Sequence, residues 1–353
     1  MFRHFLLALT LAGSSLAGID LRLPTENHHL FTNEPDRFYM YVDRTFEGVV
    51  SKPWEGGSFG YVRNAMRIQD QVILTKFHEG IDIAPINRDR AGNPLDLVSS
   101  IADGRVVYVS PLAGRSNYGK YIVVEHNWEN SSIFSLYAHM AEITCNVGDP
   151  VKAGSVLGRM GYTGVGLNRT RAHLHLELAM MMSRHFEDWQ RSHSPGANYH
   201  GLFNGMNLTG SDVARFFLEH KKNPEITFSE FIAGTPVYFK VTVPSKGTPD
   251  FVTRHPWILK GSPTGALSWE ISFSSTGMPV AFAPSERKVD AAIVTSIRPS
   301  TIPHRYMTRN LITGQDNHAT LTSGGKQLVA LLTDDFPIAP AETANPEKSV
   351  PEG

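Results

Sequence analysis

Short alternating segments dominate the middle of the chain. Between residues 72 and 178, apolar and polar side chains alternate over stretches such as 105–109, 121–125 and 174–178, and Gly, Asn, Asp and Pro separate these stretches at short intervals. A period of two interrupted by turn residues is typical of antiparallel strands joined by hairpins. We therefore predict a mainly β fold for this part, built around an antiparallel β-sheet.

The pattern changes after about residue 180. Helical spacing appears at residues 183–190 and 210–220, and Ser211 and Asp212 are suitable N-cap residues for the second helix. Residues 198–206, between the two helices, are rich in Gly and Asn and predict an ordered loop.

Strand-like segments return farther along the chain. Residues 235–243, 266–273 and 326–332 are the clearest of these segments. They predict a small C-terminal β-rich accessory region with the character of a β-sandwich.

The two ends of the chain differ from its middle. Residues 5–12 form an apolar run after Arg3 and His4, and the small residues Ser15 and Ala17 follow at the cleavage positions, so residues 1–17 are predicted to be an export signal. The run is shorter than the roughly 20 apolar residues that cross a bilayer, and we expect no stable membrane anchor. A location outside the cytoplasm, periplasmic or extracellular, follows. Residues 339–353 mix Pro, Ala and Glu and predict a disordered tail.

Charge and cysteine content narrow the possible partners. The 33 Lys and Arg residues nearly balance the 34 Asp and Glu residues, so no overall field draws the chain to nucleic acid. The single cysteine, Cys145, cannot form an internal disulfide. Function must therefore be argued from a local site, and the oligomeric state stays open.

Three short segments are rich in metal-binding side chains. In the first, His78 and Asp82 are four residues apart, which places them on one side of either a helix or an extended segment, although Gly80 disfavours the helix. In the second, His173 and His175 share one face of a predicted strand. The third segment, residues 135–140, adds His139.

This set of side chains suits zinc. Catalytic zinc sites use three protein ligands of the His and carboxylate type and leave a position open to water. The chain lacks a His-Glu-x-x-His helix, so one of the surplus histidines is the more natural general base.

The same segments resemble the lysostaphin-type (LytM-type) peptidoglycan endopeptidases. That family has a His-x-Gly-x-Asp segment, a later Tyr-x-His and a final His-x-His, which this chain matches at residues 78–82, 137–139 and 173–175. The resemblance extends over about a hundred residues and implies a small antiparallel sheet with groove-forming loops. It also implies a peptide cross-link or stem of peptidoglycan as the substrate.

The resemblance assigns a role to each matching residue. It makes His78, Asp82 and His175 the Zn²⁺ ligands and makes His139 and His173 the catalytic pair. This pair would deprotonate the attacking water and stabilise the oxyanion, and the sequence does not decide which histidine does which.

The resemblance also suggests how the chain is divided. We predict an export signal at 1–17, an N-terminal extension at 18–60, a peptidase domain at 61–222 with its motif core at 75–180, an accessory domain at 223–338 and a tail at 339–353.

Several alternatives stay open at this level. Glu177 is interpreted as a plain edge charge, with a hydrogen bond to a histidine N–H as the alternative, and His200 is expected to face water. Residues 198–206 or residues before His78 could cover the groove. A relative without catalytic activity, which binds peptidoglycan and activates another wall hydrolase, is the alternative function.

Overall fold

The computed structural model describes residues 18–194 and 196–339. The predicted export signal at 1–17 and nearly all of the predicted tail lie outside the described residues. Within the described part of the chain, no helix has the length and apolar character to cross a membrane.

Two hairpins precede the main sheet. They follow a short helix and pair only within themselves. The elements are α1 (Pro35–Phe38), β1 (Arg44–Phe46), β2 (Val49–Ser51), β3 (Gly60–Ile68) and β4 (Gln71–His78).

A seven-stranded antiparallel sheet forms the centre of the molecule. Its strand order is β11-β7-β8-β9-β13-β14, with β5 also paired to β13, and a smaller sheet has the order β10-β12-β6. The strands are β5 (Ile81–Ile83), β6 (Leu97–Ser99), β7 (Gly104–Ser110), β8 (Tyr121–Trp128), β9 (Ser131–Ala138), β10 (Met140–Ile143), β11 (Pro150–Val151), β12 (Val156–Met160), β13 (Leu174–Met181) and β14 (Leu208–Ser211). The predicted mainly β fold with an antiparallel sheet is confirmed.

Both faces of the central sheet are covered by side chains. On β8, Ile122 and Val124 belong to the main core, whereas Tyr121 and Val123 belong to a second apolar cluster on the opposite face. On β13, the leucines at 174, 176 and 178 are fully buried in the main core. His175 and Glu177 of β13 therefore project from the opposite face of the sheet.

Helices and a second sheet complete the chain. The four-stranded sheet has the order β17-β16-β15-β18. The elements are α2 (Phe186–His193), α3 (Val213–Lys222), α4 (Phe228–Ala233), β15 (Phe239–Pro244), α5 (Asp250–Arg254), β16 (Ser268–Phe273), β17 (Pro279–Ser285), β18 (Ile293–Ile297), α6 (His304–Met307), β19 (Ile312–Thr313), β20 (Thr320–Leu321) and α7 (Ser323–Thr333).

The two predicted helices are confirmed. The α3 helix begins after Asp212, whose carboxylate accepts a hydrogen bond of 3.0 Å from the backbone N–H of Arg215. This is the N-cap interaction expected from the sequence.

The prediction of a strand at 326–332 is wrong, because these residues lie in α7. Thr322 caps the helix by accepting a hydrogen bond from the Gly325 N–H. The apolar residues Leu328, Val329, Leu331 and Leu332 follow helical spacing rather than alternation.

The accessory region is also not a sandwich of two sheets. Its four-stranded sheet is flanked by helices, with α4 in contact with β17 and α7 in contact with α5, and β19 and β20 form a separate two-stranded pair. The main core continues from Leu176 in the central sheet to Phe239 and Trp269 in this region. The predicted domain boundaries therefore stay predictions.

Candidate metal centre

A tight turn brings His78 and Asp82 to the edge of β13. His78 ends β4, residues 79 and 80 form the turn, and Asp82 lies in β5, directly opposite His175 of β13. Opposed residues of antiparallel strands project from the same face of a sheet. The extended alternative for this segment is thus the observed one.

Gly80 is required at this turn because the chain passes too close to β13 for a side chain. A Cβ atom at this position would lie 2.4 Å from the carbonyl oxygen of Leu176 and 2.9 Å from Cγ of Glu177. The absence of a side chain allows the ligand-bearing turn to approach β13.

Three ligand atoms converge at this point. His78 Nε2 lies 3.2 Å from His175 Nδ1 and 3.1 Å from Asp82 Oδ1, and His175 Nδ1 lies 3.0 Å from Asp82 Oδ1. Zinc bonds of about 2.0–2.1 Å in a tetrahedral arrangement separate neighbouring ligand atoms by about 3.3 Å. All three side chains are buried, so this donor set fits one small divalent cation.

Hydrogen bonds fix which nitrogen of each ring faces Asp82. His78 Nδ1 donates to the Ser58 carbonyl over 2.8 Å, and His175 Nε2 donates to Glu177 Oε1 over 2.8 Å. In each ring, one nitrogen donates its N–H to this acceptor. The other nitrogen is thereby oriented toward Asp82 Oδ1. Outer hydrogen bonds of this kind orient metal-binding histidines.

The buried ionisable groups of the site shift one another's pKa values. Burial opposes ionisation of Asp82, but the charges of His78 and His173 and the hydrogen bonds from His173 and His175 hold its pKa well below the ordinary value. Burial likewise opposes a charge on His175, yet its hydrogen bonds to Asp82 and Glu177 raise its pKa to about 10. A cation bound here would replace a proton, as is general for metal sites.

Glu177 is part of the site rather than a plain edge charge, so the favoured interpretation was wrong and the alternative is correct. Its side chain is fully buried, and besides His175 it accepts a hydrogen bond of 2.6 Å from the Tyr118 hydroxyl. Burial and the charge of Glu177 raise the pKa of Tyr118 well above its ordinary value. The even spacing from His175 was the sequence signal for this role.

His139 and His173 form a second pair beside the three ligand atoms. Their ring centroids are 4.7 Å apart, and His173 Nε2 lies 3.3 Å from Asp82 Oδ1. Each Nδ1 donates to a backbone carbonyl, that of Thr163 for His139 and that of Arg171 for His173. Both rings are therefore held through Nδ1, and Nε2 of His173 faces Asp82 at the point where the three candidate ligand atoms converge.

Burial lowers the pKa of His139 well below its ordinary value, and the neighbouring His173 and His175 lower it further. Its backbone has a φ of 65°, in the left-handed region, and its N–H donates to the Tyr118 carbonyl over 2.9 Å. His139 is thus held in an uncommon conformation by its surroundings.

Arg63 is a site residue that the sequence did not reveal. From β3, its Nη2 reaches Asp82 Oδ2 at 2.5 Å, and its Nε donates to the Gly56 carbonyl at 2.8 Å. Oδ2 of Asp82 thereby has a hydrogen-bond donor, and Oδ1 faces the histidines. No motif includes Arg63, and only the folded position of the hairpin brings it to Asp82.

Residues 198–206 pack beside the site as an ordered loop that contains two short turns, Gly201–Phe203 and Gly205–Asn207. A Cβ atom at Gly205 would lie 2.4 Å from the Tyr118 hydroxyl oxygen. The expectation that His200 faces water is wrong, because its ring is buried and lies 2.9 Å from the Tyr108 hydroxyl. Across residues 196–206 of the described chain, no side chain bonds to the three converging ligands.

Comparisons with known proteins place this site in context. The sequence model of peptidase family M23 matches residues 76–186. The murein hydrolase activator NlpD of Escherichia coli is 35% identical over 102 residues, which are 29% of this chain and 22% of that relative, so the chain spans about a fifth of its length. The lipoprotein NlpD of Yersinia enterocolitica is 33% identical over 90 residues, 26% of this chain and 84% of that relative.

Among solved structures, the catalytic domain of the antimicrobial peptidase lysostaphin from Staphylococcus simulans aligns with 50% of this chain and 92% of its own length. The identity is 20% and the TM-score is 0.28.

The matched stretch at 76–186 contains every histidine of the site together with Asp82 and Glu177. Because that stretch fits the family model and the Yersinia relative is matched over most of its length, this chain belongs to peptidase family M23.

Proposed function

We propose that this chain is an exported, zinc-dependent endopeptidase that hydrolyses peptide bonds in the cross-links or stems of peptidoglycan. The observation that supports this most is the convergence of His78 Nε2, Asp82 Oδ1 and His175 Nδ1 within 3.0–3.2 Å of one another. Three ligand atoms at tetrahedral spacing leave room for a fourth position, as catalytic zinc sites require.

The metal and the histidine pair would divide the chemistry. His78, Asp82 and His175 would hold zinc, which when bound supplies the Lewis acidity that activates water and polarises a carbonyl. His139 and His173 are each held through Nδ1 by a backbone carbonyl, and their ring centroids lie 4.7 Å apart. One would accept the proton of the hydrolytic water, and the other would hydrogen-bond the developing oxyanion.

Glu177, Ser58 and Arg63 would act on the ligands rather than on the substrate. Glu177 and the Ser58 carbonyl fix the ring orientations of His175 and His78, and Arg63 fixes the Asp82 carboxylate. Side chains that hold a ligand in one geometry avoid a reorganisation cost during turnover.

The substrate and location rest on family membership and on the N-terminal sequence. Members named for murein are among the relatives, and the apolar run at residues 5–12 has the form of an export signal. We therefore place the enzyme in the periplasm or outside the cell.

The direct experiment uses the purified full chain and a suspension of peptidoglycan sacculi. The zinc-loaded chain is expected to clear the suspension, a chelator to stop clearing, and added Zn²⁺ to restore it. Mass spectrometry of the released fragments would then name the bond that is cut. A chain that holds about one zinc ion and releases no peptide would contradict the proposal.

A second function is favoured by the curated relatives, since the Escherichia coli protein is named a murein hydrolase activator. Under this alternative, the chain alone would not clear sacculi, and clearing would require a second purified wall hydrolase. The His173→Ala variant separates the two functions: activation would survive this change, whereas endopeptidase activity would be lost.

A further inference from the structure

Three arginines from separate elements lie near the candidate metal centre, and one of them, Arg63, contacts the Asp82 carboxylate. We call Arg44 of β1, Arg63 of β3 and Arg171 the arginine trio. Arg171 closes the short turn Arg169–Arg171, and its backbone carbonyl accepts the hydrogen bond from His173 Nδ1. Arg63 therefore contacts a candidate ligand, and Arg171 adjoins the histidine pair through its backbone.

Arg44 and Arg63 meet at Gly56. The Gly56 carbonyl accepts a hydrogen bond from Arg63, and a Cβ atom at Gly56 would lie 3.6 Å from both Nε and Nη2 of Arg44. The Nε atom of Arg44 is buried and has no hydrogen-bond partner among the described residues. A buried guanidinium donor left unpaired is costly, which favours a partner supplied from outside the chain.

The trio has more positive charge than the chain neutralises locally. Burial lowers the pKa of Arg44, and the charges of Arg63 and Arg171 lower it further, with Asp82 the acidic group that opposes them. Arg171 donates to the neutral carbonyl of Gly166 over 3.0 Å. Among the three arginines, only Arg63 has a carboxylate partner within the described residues, and that partner is Asp82.

Two pairs of opposite charges lie on or beside the same hairpins. Arg67 of β3 forms a two-point contact with Glu47, and Lys52 lies 3.9 Å from Asp43. These acidic groups are therefore engaged away from the trio. The unbalanced positive charge beside the site would attract anions and is suited to a carboxylate, which a guanidinium can bind through two parallel hydrogen bonds.

We infer that Arg44 and Arg171 of the trio bind a free carboxylate of the substrate next to the scissile bond. The preferred substrate is then an anionic stem peptide rather than a neutral glycine cross-bridge. Arg63 acts as a positioning residue for Asp82, while Arg44 and Arg171 provide the donors for the substrate. This inference rests on the proposed endopeptidase function.

The test compares two forms of one substrate. A soluble cross-linked peptide dimer, prepared from digested sacculi, is used with its carboxylates intact or converted to amides with a carbodiimide and ammonia. The wild-type chain is expected to cleave the intact dimer with a kcat/KM about 10 to 100 times higher, since hydrogen bonds to a charged group are worth about 1.5–3 kcal/mol. The difference should lie mainly in KM.

The variants Arg44→Gln and Arg171→Gln should bring this ratio toward one. Arg287→Gln is the matched control. Arg287 is exposed and follows β17 of the four-stranded sheet, and it is not part of the trio. It should keep the wild-type ratio. Equal cleavage of the two dimers by the wild type, or an equal loss on both dimers in Arg44→Gln, would overturn the inference.

Affinity gives a measure that does not depend on turnover. In the His173→Ala background, the zinc-loaded chain should bind the intact dimer at least about 10-fold more tightly than the amidated dimer by calorimetry, and Arg44→Gln should remove this preference. Equal affinities would refute the carboxylate site. A wild-type chain that cleaves neither dimer and no sacculi would instead refute the endopeptidase function.

Discussion

The two main sheets bury very different side chains. The central sheet and its ligand-bearing turn bury His78, Asp82, His139, His175 and Glu177 within one site. The strands of the four-stranded sheet bury apolar residues such as Phe239 and Trp269, and their charged pair, Lys240 and Glu270, stays partly exposed. Both sheets belong to one continuous core.

This difference shows where the fold accepts an energetic cost. Buried ionisable groups are unfavourable unless each is paired, and the central sheet pairs them with one another through a network of short hydrogen bonds. The four-stranded sheet avoids the cost by burying apolar area. We therefore expect changes in the central sheet to affect metal binding and turnover, and changes in the four-stranded sheet to affect stability alone.

The largest expected effect separates the two roles within the central sheet. His175→Ala should abolish both zinc binding and turnover, because it removes one of three ligands. His173→Ala should keep about one zinc ion per chain while turnover falls by a factor of about 10²–10⁴, the range for loss of a general acid or base. Zinc content by mass spectrometry and peptide release check this, and equal metal loss in both variants would contradict the assignment.

A core truncation tests the other side of the comparison. Phe273→Ala, in β16, should lower the free energy of unfolding by about 3–5 kcal/mol, the usual cost of removing a fully buried phenylalanine. Zinc content of the folded variant should not change. Leu176→Ala in β13 should cost about 2–5 kcal/mol and should also weaken zinc binding, because Leu176 lies between His175 and Glu177.

Urea titrations of the Phe273→Ala and Leu176→Ala variants measure the loss of unfolding free energy. The zinc content of each variant is measured before its titration. Loss of zinc from folded Phe273→Ala would remove the distinction between the sheets.

A smaller effect concerns acid stability in the C-terminal half. His255 is fully buried against Phe251 and Trp257, has no partner on either ring nitrogen among the described residues, and burial lowers its pKa to about 3. The folded chain therefore resists a proton that the unfolded chain accepts below about pH 6.5. Its contribution to stability is present above that pH and is lost as the pH falls toward 3.

Replacement of His255 by Leu should remove this dependence. Between pH 7 and 5, the variant should lose about 2 kcal/mol less unfolding free energy than the wild type. Urea titrations of the metal-free chain at both pH values measure the difference, with His185→Leu as an exposed control. If the wild type and His255→Leu lose the same unfolding free energy between pH 7 and 5, His255 is not the group responsible for the pH dependence.

The smallest expected effect lies in the ligand support. Glu177→Gln keeps an acceptor for His175 Nε2 and removes the negative charge, so zinc affinity should fall by about 10- to 100-fold while the fold is retained. Competition with a chromophoric chelator measures the affinity. Tyr118→Phe, which removes only the 2.6 Å hydrogen bond to Glu177, should have a weaker effect in the same direction. An effect of Tyr118→Phe larger than that of Glu177→Gln would contradict this order.

Sequence reasoning predicted those features that depend on short-range spacing. The even separations of His78 from Asp82 and of His173 from His175 predicted which side chains share a face, and the resemblance to the lysostaphin-type family identified the candidate ligands among them. Arg63 and Arg44 could not, because they reach the site only through the folded positions of two hairpins. Residues 326–332 were misassigned because a short apolar run suits a strand or a helix, and the cap at Thr322 decides between them.

The β3–β4 hairpin joins the two sheets. At its base, the Tyr61 hydroxyl donates to the Ser275 carbonyl over 3.0 Å, and the guanidinium of Arg309 lies 4.7 Å from the ring centre of Phe77, the residue before His78. Removal of the chain beyond residue 222 would therefore remove both contacts, one of which lies next to the candidate ligand His78. The C-terminal half thus packs against and supports the part of the chain that carries the candidate metal centre.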